Sequence, residues 1–186
     1  MGRSKALLPD PGSGEPLVVR LAHSLSEGGA TPVLVIGRAD DNELRTVVGA
    51  IAPVARFVEN PEADAGGQLS SLVAAIDALE AQRAPGVLMT PVDVPRIRPA
   101  TVAALLAAFG AAPGQIVRAV HANRHGHPVI FPRALFDDLR HADPAQGARA
   151  ILRAHEADIL DVDVPDPGVI DDIDTPDAYR RVFGEE

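Results

Sequence analysis

The stretch GVLMTPVDVP, residues 86–95, is a short apolar run that ends on a carboxylate, Asp93, and is stopped by Pro95. A run with no polar alternation reads as a strand buried on both faces, because a half-exposed strand would alternate. Proline cannot donate to a ladder, so the strand ends before it. Five further segments read as strands: TPVLVIG (31–37), VARFVEN (54–60), GQIVRAV (114–120), HPVIFP (127–132) and ADILDVDV (157–164). Helical periodicity lies among them, at 15–29, 69–82, 99–109 and 175–183. Pro16 stands near the start of the first helix and a glycine pair follows its end, while Thr175 and Pro176 open the last. Strand and helix alternate through most of the chain. The expected fold is α/β: a Rossmann-like, three-layer, mostly parallel sheet flanked by helices, in one domain spanning 1–186. Ligands in such sheets bind beyond the carboxyl ends of the strands, so the loops after the strands are where chemistry is sought.

The composition agrees. The 186 residues are 46% hydrophobic and 23% charged, with aromatics at only 3%, so Ala, Val, Leu and Ile must build the core. A net charge of −9 argues against nucleic acid as a partner, because phosphate backbones are held by an excess of Lys and Arg. A nucleotide needs only a local pocket of amides or cations. With no cysteine, disulfides, thiolate metal sites and a cysteine nucleophile are excluded. No apolar run reaches the roughly 20 residues of a membrane helix, and the start of the chain lacks a signal-peptide core. The expected location is cytoplasmic, away from membranes.

Asp93 reaches the sheet's carboxyl edge, where it suits a hard cation such as Mg2+ or serves as a turn-capping aspartate before proline. Asp171, Asp172 and Asp174 precede the last helix, where the dipole alone favours acids. Asp174 with Asp93 would also supply two carboxylates converging from distant segments. Asp161 and Asp163 form a rival Asp-x-Asp pair, or simply share one solvated strand face. ENPEADAGGQLSSL runs into a helix start carrying Ser70 and Ser71, which reads equally as a capped terminus and as a place for an anion or polar ring. His125 and His127 flank Gly126. Without a third ligand nearby they make a weak transition-metal site, and Gly126 suggests a backbone passing close to a ligand. Lys5 in the opening MGRSKALLP could neutralise phosphate, although the Walker spacing is absent.

Taken together, MGRSKALLP (1–9), NP with GGQLSSL (60–72), VDVP (92–95), HGHPVIF (125–131) and DPGVIDDIDTP (166–176) resemble, in order, the MobA-like NTP transferases. These are nucleotidyltransferases related to the molybdenum-cofactor cytidylyl- and guanylyltransferases, with a sheet of the nucleotide-diphospho-sugar transferase type. The resemblance implies transfer of a nucleoside monophosphate from an NTP, CTP or GTP being favoured, to a small phosphorylated acceptor such as a molybdopterin, with release of pyrophosphate. It implies Lys5 and Asp93 as catalytic residues and Gly2, Lys5, Gly67, Ser70 and Ser71 as nucleotide-binding. His127 is implied as an acceptor contact. Asp93 and Asp174, with Asp172 beside it, are implied as ligands of Mg2+, or alternatively Mn2+. Gln68-Leu69 departs from the family's usual segment, and Gln68 is placed to read a base edge. The sequence indicates neither base, acceptor nor oligomeric state.

In the family a central strand and Gly-rich loop precede the Met-Gly, and this chain begins just after them: the expectation is that Met1 is an internal methionine of a longer protein, and the alternative is that the chain is truncated there. The resemblance therefore predicts an N-terminally truncated domain: two strands with unpaired edges, a slot in the core, and poor stability or inactivity. Closure of the gap by rearrangement or by another chain is the other expectation. Two alternatives to the transferase follow. One is a non-catalytic nucleotide-binding or regulatory domain. The other is a sugar-phosphate nucleotidyltransferase or glycosyltransferase of related fold, with Asp161 and Asp163 as its metal site.

Overall fold

A computed structural model describes residues 4–64, 66–80 and 82–184. Among the described residues six strands and seven α-helices follow in the order α1 (Leu17–Glu27), β1 (Val33–Gly37), α2 (Asn42–Ala50), β2 (Ala55–Glu59), α3 (Gly67–Glu80), β3 (Gly86–Met89), α4 (Pro99–Ala111), β4 (Ile116–His121), β5 (Arg124–Pro132), α5 (Phe136–His141), α6 (Ala148–Ala154), β6 (Ile159–Asp163) and α7 (Pro176–Phe183). All six expected strands and four expected helices form. The short α2, α5 and α6 were not foreseen, because each spans only two or three turns and carries too few apolar positions to show a period. Among the described residues no helix is long and apolar enough to cross a membrane.

The sheet is mixed rather than mostly parallel. β1 pairs with β2 in parallel, while the other four strands lie in the order β3-β5-β4-β6. Within that sheet β4 and β6 are parallel, but β5 runs antiparallel to both β3 and β4. The cause is local. β4 and β5 are joined through Ala122 and Asn123 alone, with φ of 47° and 60°. Two successive residues at positive φ make a tight hairpin turn, which obliges the next strand to return antiparallel.

Side-chain alternation makes the layers. Ile116, Val129 and Phe131 pack on one face against Leu72 and Ile76 of α3 and Phe136 and Leu139 of α5. Val117, Ala119 and Ile130 pack on the other against Leu105 and Phe109 of α4. α1 covers β1 through Val18, Val19 and Ala22, with Val48 of α2 and Ala55 of β2 in the same cluster.

β1 and β3 are not paired with each other. Their free edges border a slot containing cavities of about 330 and 210 Å3. Pro32 and Pro85 stand together at one end, and Ile36 and Pro91 at the other, so the two strands run in the same direction. The slot is apolar above and below: Leu21 and Leu25 of α1 line one side, and Leu72 and Ala75 of α3 the other.

Candidate functional site

At the carboxyl end of β3, the chain turns through Pro91 and carries Asp93 to the sheet edge. The segment before α7 meets it there, fixed by a backbone hydrogen bond from Ile173 N to Asp93 O at 2.9 Å. Ile173 is itself buried against Leu17 and Val182. Extended backbone alternates, so burying Ile173 turns Asp172 and Asp174 the other way. Carboxylate oxygens of Asp93, Asp172 and Asp174 all lie within 4.8 Å of one another. Two distant segments therefore converge on a cluster able to ligate one hard cation.

Lys5 occupies that cluster. It sits in a single 3-10 turn, Lys5–Leu7, whose Ala6 and Leu7 are buried against α1 and β1. Its Nζ donates to Asp174 Oδ1 at 2.7 Å and lies 3.6 Å from Asp93 Oδ2. The hydrogen bond to Asp174 holds the ammonium above its ordinary range, with the charge of Asp93 adding to it. The same bond holds Asp174 below the usual carboxylate range. Asp172 moves the other way: burial raises it first, then the charges of Asp93 and Asp174. Three carboxylates with one ammonium leave an excess of negative charge, which a divalent cation would offset.

The start of α3 faces this cluster. Gly67 begins the helix at φ +56°, a left-handed conformation that favours glycine. Ser71 and Gln68 line the mouth of the slot together with Asp93. The Ser70 hydroxyl is engaged locally, donating to Gly67 O at 2.9 Å and accepting from Asn60 Nδ2 at 2.8 Å. Gly2 lies outside the described residues. His127, on β5, lines a neighbouring cavity of about 520 Å3 that shares Gln68 and Met89 with the slot mouth. Burial pushes the His127 imidazole down, and its Nδ1 is buried with no hydrogen-bond partner.

Asn60 stood in the NP segment of the resemblance with no role assigned to it. Asn60 is 2% exposed, and its N donates to Gly37 O at 2.8 Å while its Oδ1 accepts from Glu62 N at 2.9 Å. It thus ties the ends of β1 and β2 to the start of α3; an Asn-Pro directly after a strand was the available signal. Gly126 approaches a neighbouring turn and also lines the cavity beside His127. A Cβ there would stand 2.2 Å from Val169 O, so glycine is what lets β5 pack on the turn at Pro167–Ile170 that leads to Asp172. Of the rival pair on β6, Asp161 is engaged. Asp161 accepts two hydrogen bonds from Arg118, at 2.8 and 3.0 Å, and neither Asp161 nor Asp163 joins a metal-competent group among the described residues.

A family model, the MobA-like NTP transferase domain, matches residues 1–159. Among solved structures, Rv0371c from Mycobacterium tuberculosis H37Rv is 23% identical, with 100% of this chain and 92% of that chain covered and a TM-score of 0.78. A structure of Rv0371c in complex with manganese gives 24%, 99%, 94% and 0.73. The Rv0371c homolog from mycobacterium sp. strain JC1 gives 25%, 98%, 88% and 0.78. Molybdopterin-guanine dinucleotide biosynthesis protein A from Archaeoglobus fulgidus gives 15%, 97%, 89% and 0.68. No curated protein matches the chain.

Proposed function

The chain belongs to the MobA-like NTP transferase family, a family of nucleotidyltransferases, and on that premise we propose that it moves a nucleoside monophosphate from an NTP, CTP or GTP, to a small phosphorylated acceptor. A molybdopterin is one such acceptor, and the likeness to the Archaeoglobus protein supports it. The observation that carries the reading is the convergence of Asp93, Asp172 and Asp174 within 4.8 Å around the Lys5 ammonium.

A phosphate oxygen of the acceptor attacks the α-phosphorus of the NTP. The new P–O bond forms as the bond from that phosphorus to the β-bridging oxygen breaks, and the electron pair leaves with pyrophosphate. The attacking oxygen is already anionic, so no general base is required. The protein's work is positioning and offsetting charge. Asp93 and Asp174, with Asp172, would hold the metal; an all-carboxylate set fits Mg2+ or Mn2+, and the manganese complex of Rv0371c supports the second. Bound there, the metal supplies positive charge to the triphosphate. Lys5, released from Asp174, turns to the departing pyrophosphate. Ser71 and Gln68 face base and ribose from the start of α3, with Gly67 and Ser70 shaping that turn. His127 meets the acceptor from the adjoining cavity.

The test is pyrophosphate release from each NTP with Mg2+ or Mn2+, over a panel of phosphate monoesters. Turnover that Asp93→Asn and Asp174→Asn both abolish is the expected result. Turnover that survives both overturns the site. Because the slot opens directly onto Asp93, a non-catalytic nucleotide-binding domain is the second reading. Metal-dependent NTP binding with no pyrophosphate released from any pair would select it.

A further inference from the structure

The cavity beside the acidic cluster carries the opposite charge. It measures about 520 Å3, and every ionisable side chain that lines it is basic: Arg118, His125, His127 and Arg149. The chain as a whole has 26 acidic residues against 17 Lys and Arg and six His, so an all-basic lining is not inherited from the background. A floor of Leu69, Val129 and Phe131 gives it the mixed character of a small-molecule site.

The two arginines differ. Arg118 is 15% exposed and held in a bidentate pair by Asp161, so its plane is fixed and its charge already matched. Arg149, on α6, is exposed and has neither ion pair nor hydrogen bond among the described residues. Its charge reaches His127, whose buried Nδ1 lacks a partner. One free guanidinium therefore faces a cavity that His127 also lines. The neighbouring carboxylates repel any phosphate that approaches the cluster, and a cation on the far side offsets that repulsion. A guanidinium fork matches phosphate oxygens in pairs.

We propose that this cavity receives the acceptor and that Arg149 is its specificity-determining residue, gripping a phosphate monoester. This rests on the transferase reading above. The test begins without nucleotide or metal: glycerol 3-phosphate is titrated into the full chain by calorimetry, with Arg149→Gln, Arg149→Lys and Arg56→Gln alongside. Arg149→Gln weakens binding about tenfold, as loss of a charge-assisted contact predicts. Arg149→Lys falls between, and Arg56→Gln stays within about twofold because Arg56, exposed on β2, lines neither cavity. No binding to the unaltered chain, full affinity in Arg149→Gln, or loss in Arg56→Gln in its place would each overturn the proposal. Fluorescent NTP binding with Mn2+ is measured in parallel and is expected to be unchanged in Arg149→Gln. An equal loss of NTP affinity there would also overturn it, since Arg149 would then serve the nucleotide. Failure of the unaltered chain to bind NTP refutes the transferase reading, while the glycerol 3-phosphate result stands separately.

Discussion

Lys5 sits where a cation would sit, and that shapes what its replacement does. Its ammonium bridges Asp174 and Asp93 at 2.7 and 3.6 Å. A divalent ion must displace it, so Lys5→Met should bind Mn2+ a few-fold more tightly in the absence of nucleotide, a modest gain because the pair is solvent-screened. The same variant should lose turnover, since nothing then offsets charge on the pyrophosphate. Titrating Mn2+ by calorimetry and measuring pyrophosphate release separates the two effects. Asp172 gives a second prediction with a definite sign. Its folded pKa is raised, by burial and then by its carboxylate neighbours. Such a group favours the fold below its unfolded pKa, and that contribution is lost as pH rises through the folded value. At pH 7, above the unfolded value, Asp172 therefore destabilises the metal-free protein, and Asp172→Asn should raise its Tm while shrinking the rise that Mn2+ produces. A lower metal-free Tm for that variant would show that the three carboxylates do not repel one another in solution. Of these residues, Lys5, Asp93, Asp172 and Asp174 were legible in sequence through the family resemblance. Arg149 was not, because a lone helical Arg looks like any solvated face, and Asn60 was legible only as part of the NP segment, with no role.

At the scale of elements, the site depends on two joints between loops that strand and helix periodicity do not show. Asp166, 2% exposed, accepts from Arg98 N at 2.9 Å, Thr101 Oγ1 at 2.6 Å and Gly168 N at 3.0 Å. It binds the start of α4 to the segment that carries Asp172 and Asp174. Asp166→Ala leaves three donors without their acceptor and should cost roughly 3 kcal/mol, a fall in Tm of about 6–12 °C for a chain of this size. Gly126 is the second joint. Alanine there must push Val169 O away from a 2.2 Å contact, and backbone cannot yield as a flexible side chain would. Gly126→Ala should cost about 1–3 kcal/mol and also weaken Mn2+ binding, because the displaced turn leads directly into Asp172. Melting curves with and without Mn2+ check both. Strand and helix positions were read from apolar runs. The antiparallel course of β5 was not, because it depends on Ala122 and Asn123 at positive φ, and Ala-Asn lacks the glycine that marks most such turns.

At the scale of the molecule, the slot between the two sheets leaves two strand edges facing each other unpaired. β1 and β3 run in the same direction, each paired on one side only, with apolar helices closing the slot above and below. Edges of this kind accept a strand, since their outward amides and carbonyls are positioned for a ladder. Ala6 lines the same mouth as Asp93, so a strand lying parallel to β1 and β3 would end close to the point where Lys5 begins its turn. Apolar periodicity made both strands legible, but periodicity is silent on which edges are paired. An extension of five apolar residues and a glycine-containing link, fused ahead of Met1, should therefore fill the slot. Each new backbone bond contributes about 1 kcal/mol, so a ladder of four would raise Tm by roughly 8–16 °C. Hydrogen exchange should slow at the amides of β1 and β3 and leave the β4–β5 hairpin unchanged. An extension of the same composition in scrambled, proline-containing order should do neither, because proline cannot join the ladder. If the apolar extension leaves both Tm and exchange unchanged, the two sheets close on each other in solution, and the mouth at Asp93 is shaped by that closure instead of by an inserted strand.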